Sequence, residues 1–161
     1  MKLSLADLWL MHPKLRGTDY PKFGGLALQR GGHGSPVRAD VYHGDVEETA
    51  DLEWPAQDQT LLQVLDANRV TEDGAEAVAL AYVNASAGWV VKRRLQRKER
   101  ADWLLHSESR WLALEVSGVA LGDPSGRLNE KKEQVSRCSL ATERLAVVVA
   151  FEWPAILAES P

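Results

Sequence analysis

Residues 101–117 decide the fold. Ala101-Asp102-Trp103-Leu104-Leu105-His106 is an apolar run of strand length, Ser107-Glu108-Ser109 is a polar turn, and Trp111-Leu112-Ala113-Leu114-Glu115-Val116-Ser117 is a second apolar run. Two such runs about a short turn read as an antiparallel hairpin, and partners across it carry numbers that sum to about 216 or 217. Asp102 then stands beside Leu114 or Glu115. Two carboxylates therefore meet inside a sheet otherwise made of Trp, Leu, Ala and Val, where a buried acid without a partner is expensive.

Before the hairpin, Thr71-Glu72-Asp73 offers a helix cap and first-turn acids. Ala75, Val78, Ala79, Tyr82 and Val83 then recur at helical spacing, and Gly88 ends the helix. Trp89-Val90-Val91 opens a strand reaching about Gln96, and Arg97 to Arg100 form a charged turn. After the hairpin, Gly122-Asp123-Pro124-Ser125-Gly126 breaks the chain, and a helix is expected from about Arg127 to Cys138 with Leu128, Val135 and Cys138 on one face. Leu145-Ala146-Val147-Val148-Val149-Ala150-Phe151 is apolar throughout, as an interior strand covered on both faces requires. The helix before it supplies the crossover that a parallel strand pair needs. The order is helix, three meandering strands, helix, strand: an α/β protein with a mixed sheet.

Residues 1–69 differ in texture. Gly25-Leu26-Ala27-Leu28 and Val37-Arg38-Ala39-Asp40-Val41-Tyr42 flank the break Gly31-Gly32-His33-Gly34-Ser35-Pro36, which reads as a hairpin with a long loop. A short helix is expected over Thr60 to Leu65. The segment is taken as an N-terminal β-rich extension packed on a core of residues 70–161, in the position of a specificity or docking element.

Composition bounds the class. With 161 residues, 45% hydrophobic and 26% charged, the chain is an ordinary one-domain globular protein rather than a disordered or collagen-like one. A domain this size buries roughly 70% of its unfolded surface, enough to fold without a metal or disulfide. Cys138 is the single cysteine and cannot form an internal bridge, which points to a reducing compartment. No apolar run approaches the roughly 18 residues of a membrane helix, and Asp7 interrupts the only leader-like stretch. A cytoplasmic protein with no membrane partner is expected.

The formal net charge of −4 argues mildly against a general nucleic-acid binder, yet Lys92, Arg93, Arg94, Arg97, Lys98 and Arg100 put six cations into nine positions. That run leads directly into Asp102, so it is a candidate phosphate-neutralising surface; a solvated hairpin turn is the plain alternative. The carboxylates also have plain readings: Asp102 as a turn cap or an arginine partner, Glu115 at an exposed strand end. A divalent cation such as Mg²⁺ would settle both acids at once, because hard cations take oxygen ligands. On the second helix, Leu128, Lys131, Lys132, Val135 and Cys138 share one stripe, so two lysines lie on the face expected to pack inward. They either snorkel outward or bring an ammonium to the end of the third strand, where Gln134 stands at i+3 from Lys131.

This order of elements, with acids at these places, resembles the PD-(D/E)XK or restriction-endonuclease-like nucleases. In that family an acid on the first helix, an aspartate on the second strand and a Glu-x-Lys on the third bind Mg²⁺ and activate water. The matching positions are Glu76, Asp102 and Glu115; the family's lysine position is Ser117. Some members carry the lysine on the following helix, where Lys131 and Lys132 stand. The resemblance covers about residues 70 to 153 and rests mainly on the ordering of elements. It implies a restriction-endonuclease-like αβββαβ core and metal-assisted phosphodiester hydrolysis. The ligands to Mg²⁺ (or Mn²⁺) would be Asp102, Glu115 and the backbone carbonyl of Val116, with Lys131 or Lys132 acting on the water. The implied partner is a nucleic acid, with DNA favoured, in a restriction, repair or defence setting; a protein partner or a homodimer is left open. The alternative keeps the fold but makes the chain an inactive binding or assembly module, to which Ser117 and the net charge contribute.

Other signals are set aside. Cys138 with His106 has the residue types of a nucleophile and base, but a lone cysteine on an apolar helical face is a small core residue. His43-Gly44-Asp45 with Glu47 and Glu48 has no recognised ligand spacing. Trp89, Trp103 and Trp111 read as sheet packing.

Overall fold

The computed structural model describes residues Met1–Pro161. Its strands are β1 (Lys2–Ser4), β2 (Val37–His43), β3 (Val46–Glu53), β4 (Val90–Arg94), β5 (Trp103–Ser107), β6 (Arg110–Val119), β7 (Glu143–Ala150) and β8 (Ala155–Glu159). The helices are α1 (Leu8–Met11), α2 (Tyr20–Arg30), α3 (Ala67–Ala87) and α4 (Ser125–Ser136). All eight strands join one mixed sheet in the order β1-β3-β2-β8-β7-β6-β5-β4.

The expected second half is present. β4, β5 and β6 form an antiparallel meander, α4 crosses over, and β7 runs parallel to β6. Trp103 pairs with Leu114, the register the hairpin arithmetic gives. α3 starts four residues earlier than Thr71, because Asp66 rather than Thr71 is the cap and accepts the Arg69 N–H at 2.8 Å. Gly88 ends it in the left-handed conformation at φ 67°. β7 is buried from Leu145 to Ala150, as its unbroken apolar sequence requires.

Strand alternation sorts β6 between two layers. Leu112, Leu114 and Val116 join the 35-residue core beneath α2 and α3. Ala113 joins a core of 8 with Val135 and Cys138 beneath α4, so Glu115 points to the α4 face. Trp103 is a buried sheet residue, Trp89 just before β4 is buried as well, and Trp111 is exposed.

The first half corrects one expectation. Gly25-Leu26-Ala27-Leu28 is not a strand but lies in α2, which packs on α3. Its glycines are contact surface rather than turn signals. A Cβ on Gly24 would stand 3.1 Å from the Ala77 Cβ, and one on Gly74 would stand 2.7 Å from the Ala27 Cβ. The two helices approach more closely than side chains there would permit. The hairpin in this region instead joins β2 to β3 through Gly44-Asp45, with Gly44 at φ 57°. Residues 1–69 supply β1, β2 and β3, and β2 pairs in parallel with β8, so these three strands extend the same sheet. No helix is long and apolar enough to cross a membrane.

Candidate functional site at the free edge of β6

β5 begins at Trp103, so past Asp102 one edge of β6 has no partner strand. Leu114 C=O accepts the Asp102 N–H at 3.0 Å, which shows that even-numbered residues of β6 present their main chain to this edge. The N–H groups left over are taken by carboxylates. Asp102 Oδ2 accepts the Val116 N–H at 2.9 Å, and Glu72 Oε2 accepts the Gly118 N–H at 3.1 Å. By the same alternation the Val116 C=O faces this edge between the two acids.

Glu115 is not at an exposed strand end. Its side chain is 1% exposed; Oε1 accepts from Lys131 Nζ at 2.5 Å, and Oε2 is buried with no hydrogen-bond partner. Burial pushes its pKa up to about 7; the nearby Asp102 charge adds to this, and Lys131 opposes it. Lys131 is therefore the inward lysine. Lys132 pairs with Glu159 on β8 instead and does not reach Glu115.

Glu76 is buried on α3 and bonded to the Arg94 guanidinium and to the Trp103 indole N–H, the latter at 3.0 Å. Burial raises its pKa, Arg94 offsets part of that, and Asp102 adds a further rise. Arg94 also lies 3.7 Å from Asp102 Oδ1, donates to the Tyr20 hydroxyl at 3.0 Å and stacks on Trp103. Arg94 is thus a counter-charge to Glu76 and Asp102, with its side chain still 47% exposed. The cause is a register shift between Val91 and Arg93, which leaves both Val91 and Arg94 on the α3 face. Arg93 is spent too, in two bonds to Glu99 at 3.1 and 2.8 Å. Of the six-cation run, Lys92, Arg97, Lys98 and Arg100 are exposed and unpaired.

Glu72 is the site residue that sequence reading passed over as a first-turn acid. It lies one helical turn before Glu76, and Ser117, in the position expected of a lysine, donates its hydroxyl to it at 3.3 Å. The i, i+4 spacing of Glu72 and Glu76 was the available signal.

Four carboxylates, Glu72, Glu76, Asp102 and Glu115, thus gather against two cations, Arg94 and Lys131, and Glu72 forms no ion pair. No three His, Cys, Asp or Glu side chains form a ready metal-holding cluster. Asp102, Glu72 and the Val116 C=O face the edge, and Glu115 on the α4 side adds one unsatisfied buried oxygen, an all-oxygen set with an excess of negative charge. That chemistry fits Mg²⁺ or Mn²⁺, which use few protein carboxylates and keep several waters. Comparison with protein-family models, with curated proteins and with solved structures finds no match to this chain.

Proposed function

We propose that this chain is a metal-dependent nuclease-like protein that hydrolyses phosphodiester bonds of nucleic acid, on a restriction-endonuclease-like αβββαβ core. The observation that carries the reading is the Glu115 carboxylate: buried, one oxygen on Lys131, the other unpartnered, beside Asp102 at an open strand edge. A core acid of this kind is costly as a purely structural element, and perturbed carboxylates with a specific charge partner concentrate at functional sites.

Asp102, Glu115 and the Val116 C=O would hold Mg²⁺ or Mn²⁺. When bound, such an ion supplies a more acidic water and charge against the developing phosphate anion. Lys131 Nζ is fixed by Glu115 and would orient the attacking water and stabilise negative charge in the transition state, taking the place of the lysine absent at position 117. Glu72 and Asp102 hold the β6 edge straight by occupying its free N–H groups. Arg94 bridges Glu76 and Asp102 as their shared counter-charge. Lys92, Arg97, Lys98 and Arg100 would meet substrate phosphates. The buried free thiol of Cys138 is compatible with a reducing compartment such as the cytoplasm.

The test is a cleavage screen over DNA and RNA with Mg²⁺ or Mn²⁺, using wild type, Glu115→Gln and Lys131→Met. Cleavage by wild type that both variants lose while keeping the fold supports the reading; cleavage unchanged in Glu115→Gln removes it. A second reading, an inactive module of the same fold that only binds, draws on Ser117 and on the closed Lys131–Glu115 pair. It predicts nucleic-acid or protein binding that is indifferent to Glu115→Gln.

A further inference from the structure

The turn before Asp102 faces α4 across a cleft of about 330 Å³ lined by Arg97, Arg100, Glu130, Glu133, Gln134 and Arg137, with no hydrophobic residue. Its two acids are already engaged: Glu130 with Arg127 at 3.1 Å, and Glu133 with Arg137. Arg97 and Arg100 have no acidic partner. Two unpaired guanidinium groups and a third at the opposite wall therefore converge on a polar cleft.

The turn that carries the first two is rigidly built. Glu99 accepts the Gln96 N–H at 2.6 Å and both Arg93 bonds, so Arg93 and Gln96 hold its carboxyl down to about 2. Arg100 is a non-glycine residue at φ 66°, a conformation that is uncommon and costs free energy. The capping box fixes the loop so that side chains 97 and 100 leave it toward α4.

We infer that this cleft is a phosphate subsite: Arg97, Arg100 and Arg137, with Gln134 beside them, hold one phosphate ester of the nucleic-acid backbone next to the Asp102–Glu115 site. The inference rests on the nuclease reading for the source of the phosphate, but not for the anion chemistry. Planar guanidinium groups match phosphate oxygens through paired hydrogen bonds. With no aromatic or apolar side chain to enclose a base, the cleft takes the backbone phosphate and not sequence.

The experiment is fluorescence anisotropy with a labelled DNA duplex and a labelled RNA strand in EDTA, so that no metal is needed, with inorganic phosphate and a mononucleotide as competitors. The variant is Arg97→Ala, Arg100→Gly, Arg137→Ala, glycine being chosen to accept the left-handed backbone. A charge-matched control is Lys2→Ala, Arg38→Ala, Arg110→Ala, away from the cleft. The cleft variant, with an unchanged thermal midpoint, loses about tenfold or more in affinity, and its salt-dependence slope falls by about 2 to 3; the control loses much less. Tight oligonucleotide binding with weak competition by phosphate assigns the cleft to the backbone; equal competition by the mononucleotide assigns it to a small phosphate ester. A folded cleft variant that binds every probe as wild type does, or a control that loses as much, overturns the subsite. Because the assay is metal-free, that result leaves the metal site standing, and loss of the metal site leaves this result standing.

Discussion

Replacing Lys131 by Met keeps most of the aliphatic stem and removes the one cation that touches Glu115. In wild type the folded Glu115 has a pKa of about 7 against an ordinary 4.5. The folded state therefore holds this proton more tightly than the unfolded chain does. The resulting stability is complete below about pH 4.5 and is lost as pH rises through about 7. The gap between the two values corresponds to about 3 kcal/mol. Without Lys131 the carboxyl rises further, so the decline continues to higher pH. Near pH 8 wild type holds the carboxylate against Lys131, whereas the variant must either bury it without its cation or keep it protonated, a loss of about 3 kcal/mol. Near pH 5 the native carboxyl is protonated in both proteins, and only a hydrogen bond from the ammonium to a neutral carboxyl is lost, about 1.5 kcal/mol. Urea unfolding followed by tryptophan fluorescence at the two pH values measures both differences. Equal destabilisation at both, within about 0.5 kcal/mol, would refute the assignment of Glu115 as a buried, titrating partner of Lys131.

Arg94→Met strands the buried Glu76 with one indole N–H and is expected to cost about 3 to 5 kcal/mol in urea unfolding, most of it recovered by adding Glu76→Gln; Arg97→Ala from the same run changes stability by less than about 0.5 kcal/mol. Gly74→Ala drives a Cβ to within 2.7 Å of the Ala27 Cβ and 2.9 Å of the Phe23 carbonyl oxygen, so a loss of about 1 to 3 kcal/mol is expected. Gly126→Ala, in the first turn of α4 with open space around it, is neutral or stabilising by up to about 1 kcal/mol in the same assay. Glu72→Ala frees the Gly118 N–H and speeds its hydrogen exchange by about tenfold; exchange at Val116, held by Asp102, stays unchanged.

The legible parts of this fold were those set by local periodicity. The apolar runs at 103–107, 111–117 and 145–150 each carry strand patterning, and the Ser107–Ser109 turn fixes one register between the first two. That register alone brought Asp102 and Glu115 together. Features decided by distant partners were not legible. Gly24 shows no role until α3 is placed against it, because closeness of two helices leaves no mark on either one alone. Arg93 and Arg94 sit in a run that looks uniformly solvated; the register shift after Val91 turns Arg94 inward to Glu76, eighteen residues earlier. Glu72 looked like a helix-start acid because nothing local shows that β5 stops short and leaves the Gly118 N–H open. Lys131 and Lys132 shared one helical stripe, and only the positions of β6 and β8 beneath α4 assign one to Glu115 and the other to Glu159.

The proposed site at the β6 edge should hold a divalent cation. Titration calorimetry with Mg²⁺ and Mn²⁺ on wild type and on the Asp102→Asn, Glu115→Gln double variant tests it without relying on activity. The account predicts saturable binding to wild type in the millimolar range or tighter, absent from a double variant that remains folded. Wild type that shows no saturable binding at millimolar ion, or a double variant that binds as well, would contradict it.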